Sequence, residues 1–501
     1  MWYIVQPSDS LYLISRKFGV TIEQLKQANR LTGNEIFVGQ RLFVPITGLP
    51  VYTVAAGDSL YLIAKKFNTT VGSILAANNL NTAELLIGQR LIIPFYIDVM
   101  VNTSTASVRN GPGTGYPELA RIVRGGRLPV LDYSRGWYKV RLFNGREGWV
   151  AQTIVTRFNY GGGKPVVGIL GFYTLEEGPG LPSSFSSFAN NTQQLSVAGL
   201  FMFRISRANP TQIEKFGSFT DRDVETLVAI AHRNNIKIVP VVHNLLYRTG
   251  DPNTSKEVIR QLVATPENRR TFAANLVRLI ERYNFDGINI DIEDVYIEDS
   301  ERLSSLYIEI GNALRPRGYF YSASVPSRVS DLPTNPFSAP FNYSVIGRTV
   351  DKFVVMLYNE HGWPGSGPGP VVSTGWMERV LNYTITKMPR EKIIAAVSVF
   401  GFDFNVSTGR NSYVTYETAI QLARTYNRQI IFDRESQTPM FSYNDAQGNY
   451  HEVWFENSSS ILAKIQLAYR LGISGVALWR LGMEDPDVWP TIAGNAVVIK
   501  Y

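Results

Sequence analysis

Phe285-Asp286-Gly287-Ile288-Asn289-Ile290-Asp291-Ile292-Glu293 alternates isoleucine with polar residues. That is the period of a β-strand, whose successive side chains leave opposite faces. Ile288, Ile290 and Ile292 then share one face, and Asn289, Asp291 and Glu293 share the other. Three polar groups in a buried column, two of them carboxylates, are costly unless they bond one another or a ligand. A solvated edge strand would show the same alternation. The isoleucine face, the preceding Phe-Asp-Gly and the flanking elements point instead to a barrel interior.

Around this stretch, apolar strands alternate with helical segments from residue 165 onward. The expected strands are Val166–Phe172, Val197–Phe203, Ile236–Val242, Phe285–Glu293, Tyr319–Val325, Lys352–Tyr358, Ile393–Phe400 and Ile473–Trp479. Asp221–Asn234, Pro266–Tyr283, Ser300–Arg315 and Ser458–Leu471 read as helices between them. Eight strand-then-helix units over residues 165–499 are the count of a closed (β/α)8 TIM barrel, an α/β fold whose active sites lie at the C-terminal strand ends. Asp291 and Glu293 close the fourth strand, where catalysis is expected. The span after strand seven, about 404–457, is too long for one helix and reads as a small α+β insertion walling the cleft.

Two earlier segments repeat each other. A shift of 49 positions aligns Asp9-Ser10-Leu11-Tyr12-Leu13-Ile14 with Asp58-Ser59-Leu60-Tyr61-Leu62-Ile63, and Gly39-Gln40-Arg41-Leu42 with Gly88-Gln89-Arg90-Leu91. Each copy reads as strand, helix capped by Asp or Ser, helix, strand. These βααβ units, residues 1–47 and 50–96, resemble LysM domains, which implies binding to N-acetylglucosamine-containing glycans and, in tandem, bivalent attachment. Ser8 replaces a glycine that Gly57 keeps in the second copy. Residues 99–158 alternate short β runs with turns such as Asn110-Gly111-Pro112-Gly113. With Gly136-Trp137-Tyr138-Lys139-Val140 and Gly148-Trp149-Val150, this all-β module is similar to bacterial SH3-like domains. The resemblance implies peptidoglycan attachment, with Trp137, Tyr138 and Trp149 read as core before ligand contacts. Tyr160-Gly161-Gly162-Gly163 reads as a hinge.

Composition narrows the chemistry. The chain has no cysteine, so neither disulfides nor thiolate sites form. No apolar run is long enough for a membrane span, and the N-terminus lacks the regions of a secretory signal, so neither membrane insertion nor a signal peptide is expected. Net charge is +8 over residues 1–160 and −1 over residues 161–501. The excess gathers in Arg109, Arg121, Arg124, Arg127, Arg135, Lys139, Arg141 and Arg146. Such a surface attracts a polyanion, and with no nucleic-acid motif present, an anionic wall polymer is favoured over nucleic acid.

Four histidines without a metal-binding spacing argue against a catalytic metal, and no Gly-x-Ser-x-Gly elbow or phosphate loop appears; no cofactor is expected. What remains is two carboxylates roughly 6.5 Å apart along one strand face. Neighbouring carboxylates cannot both ionise freely, so one is held protonated, as a general acid for a glycosidic oxygen must be.

Asp286-Gly287-x-Asn289-x-Asp291-x-Glu293 is similar to the D-G-x-D-x-D-x-E signature of glycoside hydrolase family 18, and Met356-Leu357-Tyr358-Asn359 to its M-x-Y-D. The resemblance implies substrate-assisted, retaining hydrolysis, in which the 2-acetamido carbonyl attacks the anomeric carbon and forms an oxazolinium. Glu293 would be acid then base, Asp291 would orient the acetamide, Tyr358 would bond its oxygen, and Trp479 would lie under the ring. Asn289 replaces an Asp, so Asp291 is expected to gain an amide donor and be more firmly ionised. Asn359 replaces another, with Glu360, His361 and Trp363 nearby as loop or contact residues. Tyr173, Asn244, Arg328 and Asp403, just past strand ends, are further subsite candidates. The modular order resembles spore-associated peptidoglycan hydrolases acting as N-acetylglucosaminidases, implying spore or cell-wall localisation. Chitinase activity, or a lectin-like barrel without catalysis, stays open, as does the oligomeric state.

Overall fold

The computed structural model describes residues 2–5, 9–18, 20–29, 31–44, 51–66, 71–78, 80, 82–93, 98–134, 136–157, 164–175, 181–246, 253–331, 335–358, 360–363 and 365–500. Its largest body is a parallel barrel of β1 (Val166–Tyr173), β2 (Val197–Ile205), β3 (Lys237–His243), β4 (Gly287–Asp291), β5 (Phe320–Pro326), β6 (Lys352–Met356), β7 (Ile393–Ser398) and β8 (Gly475–Trp479). Each strand pairs with the next, and β8 returns to β1 through Gly168↔Gly475 and Leu170↔Ala477. All eight expected strands are overlapped by observed ones.

Alternation divides two cores. Leu170, Phe172, Phe201, Val239, Val241, Val354 and Ile394 fill the barrel interior. Ile169, Ile238, Ile288, Ile290 and Ile292 face outward and pack with Phe272, Leu276 and Ile280 of the helix Pro266–Tyr283. Each such side chain contributes about 1.5–3 kcal/mol on burial. That helix starts where Thr265 Oγ1 accepts the Asn268 N–H at 3.1 Å, with Pro266 at its first turn, and stops at left-handed Asn284 (φ 57°). A Cβ at Gly287 would lie 1.8 Å from the Phe320 carbonyl oxygen, so glycine there is what lets β4 and β5 approach. Asp286 ties the strand's base by accepting the Ile238 N–H at 2.7 Å.

Between β7 and β8 lies the α+β insertion. It begins at Gly401, three residues earlier than the sequence indicated, because a strand follows the β7 turn directly. Its five antiparallel strands run in the order Arg410–Val414, Gly401–Asn405, Tyr450–Trp454, Thr438–Asn444, Ile431–Asp433, beside the helix Tyr416–Thr425.

Both N-terminal repeats are βααβ. Trp2–Ile4 pairs with Arg41–Phe43 around helices Leu11–Phe18 and Ile22–Asn29, and Val51–Thr53 pairs with Arg90–Ile92 around Leu60–Lys66 and Val71–Asn78. The serines cap: Ser10 and Ser59 Oγ accept the N–H of Leu13 and Leu62, each at 3.2 Å. The aspartates instead bind strand to helix, accepting the hydroxyls of Tyr3 (2.6 Å) and Tyr52 (2.7 Å). Gly57 has φ 85°, a left-handed turn position, while Ser8 lies outside the described residues. Residues 98–157 form a seven-stranded antiparallel sheet of the SH3-like kind. Tyr138 is core there, and Trp137 and Trp149 are half-buried. Arg127, expected on the basic surface, is buried and ion-paired with Asp98; Arg135 lies outside the described residues. This module meets the base of the barrel, where Phe143 stacks on His232 at 3.8 Å and Asn235 donates to the Arg127 carbonyl at 2.8 Å.

Candidate active site

The polar face of β4 turns into the barrel, as alternation requires, but its members find different neighbours. Asn289 is fully buried; its Nδ2 donates to Ser322 Oγ at 2.9 Å and its Oδ1 accepts from Ser324 Oγ at 3.0 Å. Both serines lie on β5, in register with Asn289 and Asp291. The amide is therefore held by β5, neither aimed at Asp291 nor open to a sugar, which corrects the expectation that it supports an ionised Asp291. Asp291 Oδ1 is buried without a hydrogen-bond partner. Burial pushes its carboxyl up to about 7, the opposite of the firm ionisation expected.

The strand ends at Asp291, so Glu293 stands two residues beyond it, half-buried. Its N–H donates to Asn244 Oδ1 at 2.9 Å, while Asn244 Nδ2 donates to the Asp294 carbonyl at 3.2 Å. Asn244 is fully buried just after β3. It is a clamp on the backbone carrying Glu293 and has no surface for a subsite. The Glu293 carboxyl is raised well above the usual carboxylate range, by burial first and then by the charges of Asp291 and Asp294. An acid pair held above the usual carboxylate range keeps a proton that it can donate to a leaving oxygen.

An aromatic wall completes the mouth. Trp479, the last residue of β8, is partly exposed and sits edge-on to Phe172 (5.2 Å) and Phe201 (5.0 Å) of the interior. The half-buried Tyr358 ring lies 6.3 Å from it at 30°. Asn359 lies outside the described residues. Glu360 accepts the Ser373 N–H at 2.7 Å and His361 Nδ1 lies 3.3 Å from the Ser366 carbonyl, so both organise their own loop; Trp363 is exposed.

Three expected subsite residues point elsewhere. Tyr173 follows inward Phe172 by one position, so it faces the outer core, packed edge-on against Phe188 at 5.9 Å. Its alternation phase was legible in the sequence. Arg328 stacks its guanidinium over Tyr343 (4.4 Å) and Tyr383 (5.5 Å) on the helical side. Asp403 belongs to the insertion's own network, accepting from Tyr443 Oη at 2.6 Å and lying 2.7 Å from His451 Nδ1. Sequence reasoning missed Ser322 and Ser324, whose Ser-x-Ser spacing on β5 was their only signal, and gave no role to His243 at the end of β3.

Both N-terminal repeats expose apolar side chains at matching positions: Tyr12 and Tyr61 (59% and 65%), Leu13 and Leu62, Phe37 and Leu86, Val38 and Ile87. Apolar groups left in solvent twice, at the same positions of a small domain, mark an interaction surface. Among the described residues no helix is long and apolar enough to cross a membrane.

Comparison with known proteins agrees with this division. The model of glycosyl hydrolases family 18 matches residues 188–484, that of the LysM domain residues 3–45 and 52–94, and that of the bacterial SH3 domain residues 104–155. A cortical fragment-lytic enzyme of Bacillus anthracis is 30% identical over 275 residues, 54% of this chain; the match spans 63% of that relative, less than two thirds of its length. A cortical fragment-lytic enzyme of Bacillus subtilis (strain 168) is 27% identical over 310 residues, 61% of this chain and 69% of the relative. The crystal structure of the Bacillus cereus spore cortex-lytic enzyme SleL superposes with a TM-score of 0.60 at 24% identity, covering 100% of this chain and 99% of that one, a likeness of fold.

Proposed function

Since the chain belongs to the glycosyl hydrolases of family 18, we propose that it cleaves peptidoglycan of the spore cortex after N-acetylglucosamine. The observation that carries this is the carboxyl pair at the barrel mouth, Asp291 raised to about 7 and Glu293 held well above the usual carboxylate range, with Trp479 closing strand β8 of the same barrel. Glu293 holds the proton that the leaving oxygen takes, and its backbone is fixed for that by Asn244. The substrate's acetamido carbonyl attacks the anomeric carbon, giving an oxazolinium with retention after water enters; Glu293 then acts as base. Asp291 accepts the acetamide N–H, and ionises as that donor arrives and favours its charged form. Tyr358 bonds the acetamido oxygen, and Trp479 lies under the sugar ring. No cofactor enters the scheme.

The exposed faces of the two LysM domains support glycan attachment, and two weak sites on one chain bind an insoluble polymer far better than either alone. The cortical fragment-lytic relatives favour peptidoglycan over chitin, and with the LysM domains they support a location in the spore or cell wall.

Incubation of the protein and its Glu293→Gln variant with purified cortex peptidoglycan and with chitin, followed by mass spectrometry, tests the proposal. Fragments with reducing N-acetylglucosamine from cortex, lost in the variant, are expected. Reducing N-acetylmuramic acid would overturn the bond assignment. Preference for chitin would overturn the substrate, and no product at all would leave a glycan-binding barrel.

A further inference from the structure

We propose that His243 is a positioning residue for hydrolysis, its Nε2–H holding the carboxylate of Asp291 once substrate is bound. The proposal rests on the glycosidase reading of the site. His243 is the last residue of β3, in register with Asp291 on β4. Residues in register on neighbouring parallel strands send their side chains to the same face, about 4.8 Å apart. Val239 and Val241 belong to the barrel interior while Ile238 and Val242 belong to the outer core, so His243 also points inward.

Its ring is tightly held. The imidazole stacks on Phe201 at 4.2 Å and 8°, meets Phe216 edge-on at 4.7 Å, and is fully buried. Nδ1 accepts the Leu245 N–H at 3.2 Å, which leaves the ring proton on Nε2. That Nε2 is buried without a partner, and so is Asp291 Oδ1. An orphaned donor and an orphaned acceptor on adjacent register positions each carry a desolvation cost that their pairing would remove.

Of the other groups around Asp291, the Asn289 amide donates to Ser322, and the register partner Ser324 donates to Asn289. Glu293 adds a second carboxyl, and the buried Tyr307 hydroxyl, from the helix Ser300–Leu314, has its own proton held more tightly by burial and by the Asp291 charge. Burial and the nearby Arg204, itself bonded to Glu214 at 2.7 Å, push the imidazole down to about 3. His243 is therefore a neutral donor at working pH. It favours the ionised form of Asp291 without burying a cation. With the acetamide N–H on one carboxylate oxygen and His243 on the other, Asp291 is fixed in one orientation.

Two variants separate this role from packing. His243→Phe keeps the stack on Phe201 and removes the donor; His243→Gln keeps an N–H donor at similar reach. With thermal unfolding confirming that both fold, His243→Phe is expected to lower kcat about ten-fold or more, with KM little changed, and to move the acid limb of the pH profile up by about one unit. His243→Gln should restore most of the rate. Carboxyl 13C titration of Asp291 by NMR, in native protein and His243→Phe with an N-acetylglucosamine oligomer bound, reads the same contact even if no hydrolysis occurs. An upward shift of the Asp291 titration in His243→Phe supports the proposal. An unmoved titration overturns it, as does equal loss of rate in both variants with the acid limb in place.

Discussion

Replacing Asn289 by Asp puts a third carboxyl into the column beneath Asp291, at a position with no solvent exposure. Two residues along a strand is about 6.6 Å. At an effective dielectric near 20, two charges at that distance repel by about 2.5 kcal/mol, nearly two pKa units. Ser324 already donates to the side chain at 289, so it can serve a carboxylate, but Ser322 would have to turn its hydroxyl from the Ile288 carbonyl, 3.3 Å away. The pair at 289 and 291 then shares one proton across the neutral range and titrates in coupled steps. Asn289→Asp is expected to move the acid limb of kcat/KM up by about one to two units. Stability should fall with pH as well. The new carboxyl's folded pKa lies above its unfolded value near 4, so its cost is absent below about pH 4 and accrues as pH rises. pH–rate profiles and urea midpoints at several pH values, side by side with the native protein, measure both. Curves that superimpose in both assays would refute the claim that a carboxyl at position 289 titrates jointly with Asp291.

Other outcomes follow from the same contacts. Asp291, raised to about 7 from near 4 unfolded, costs stability as pH rises between those values; Asp291→Asn should therefore stabilise the fold at pH 8 by on the order of 4 kcal/mol and not at pH 3.5, read by urea denaturation. Asn244→Ala strands the Glu293 N–H and the Asp294 carbonyl, and should lower kcat about ten-fold or more with a loss of about 1–3 kcal/mol in stability; rate and melting measurements on one preparation check it. Tyr12→Ala combined with Tyr61→Ala should weaken co-sedimentation with insoluble peptidoglycan by about ten-fold or more at unchanged melting temperature, more than either single change, because the two sites act in tandem.

Much of this molecule was legible along the chain. The β4 alternation placed the isoleucines outward and the carboxylates inward, and the eight apolar strands with their intervening helices closed as the barrel they implied. Tyr173 shows the same rule working against a first reading: an inward Phe172 dictates an outward neighbour. The helix Pro266–Tyr283 kept both of its expected ends, because its cap, first-turn proline and left-handed stop are local chemistry.

What the sequence could not give was the partner of each polar group. Asn289 meets Ser322 and Ser324 only because β4 and β5 pair in one register, more than thirty residues apart in the chain. Asp403 looks like a cleft residue until the insertion folds and Tyr443 and His451 close on it. His243 carries no spacing motif, and its importance comes from a burial and a register that set it opposite Asp291, each with a buried side-chain atom that has no partner. Periodicity, caps and repeats are properties of neighbouring residues, so sequence alone determined the barrel, the modules and the face bearing the carboxylates. Hydrogen-bond partners and carboxyl protonation depend on distances between strands remote in sequence, and those only the tertiary structure decided.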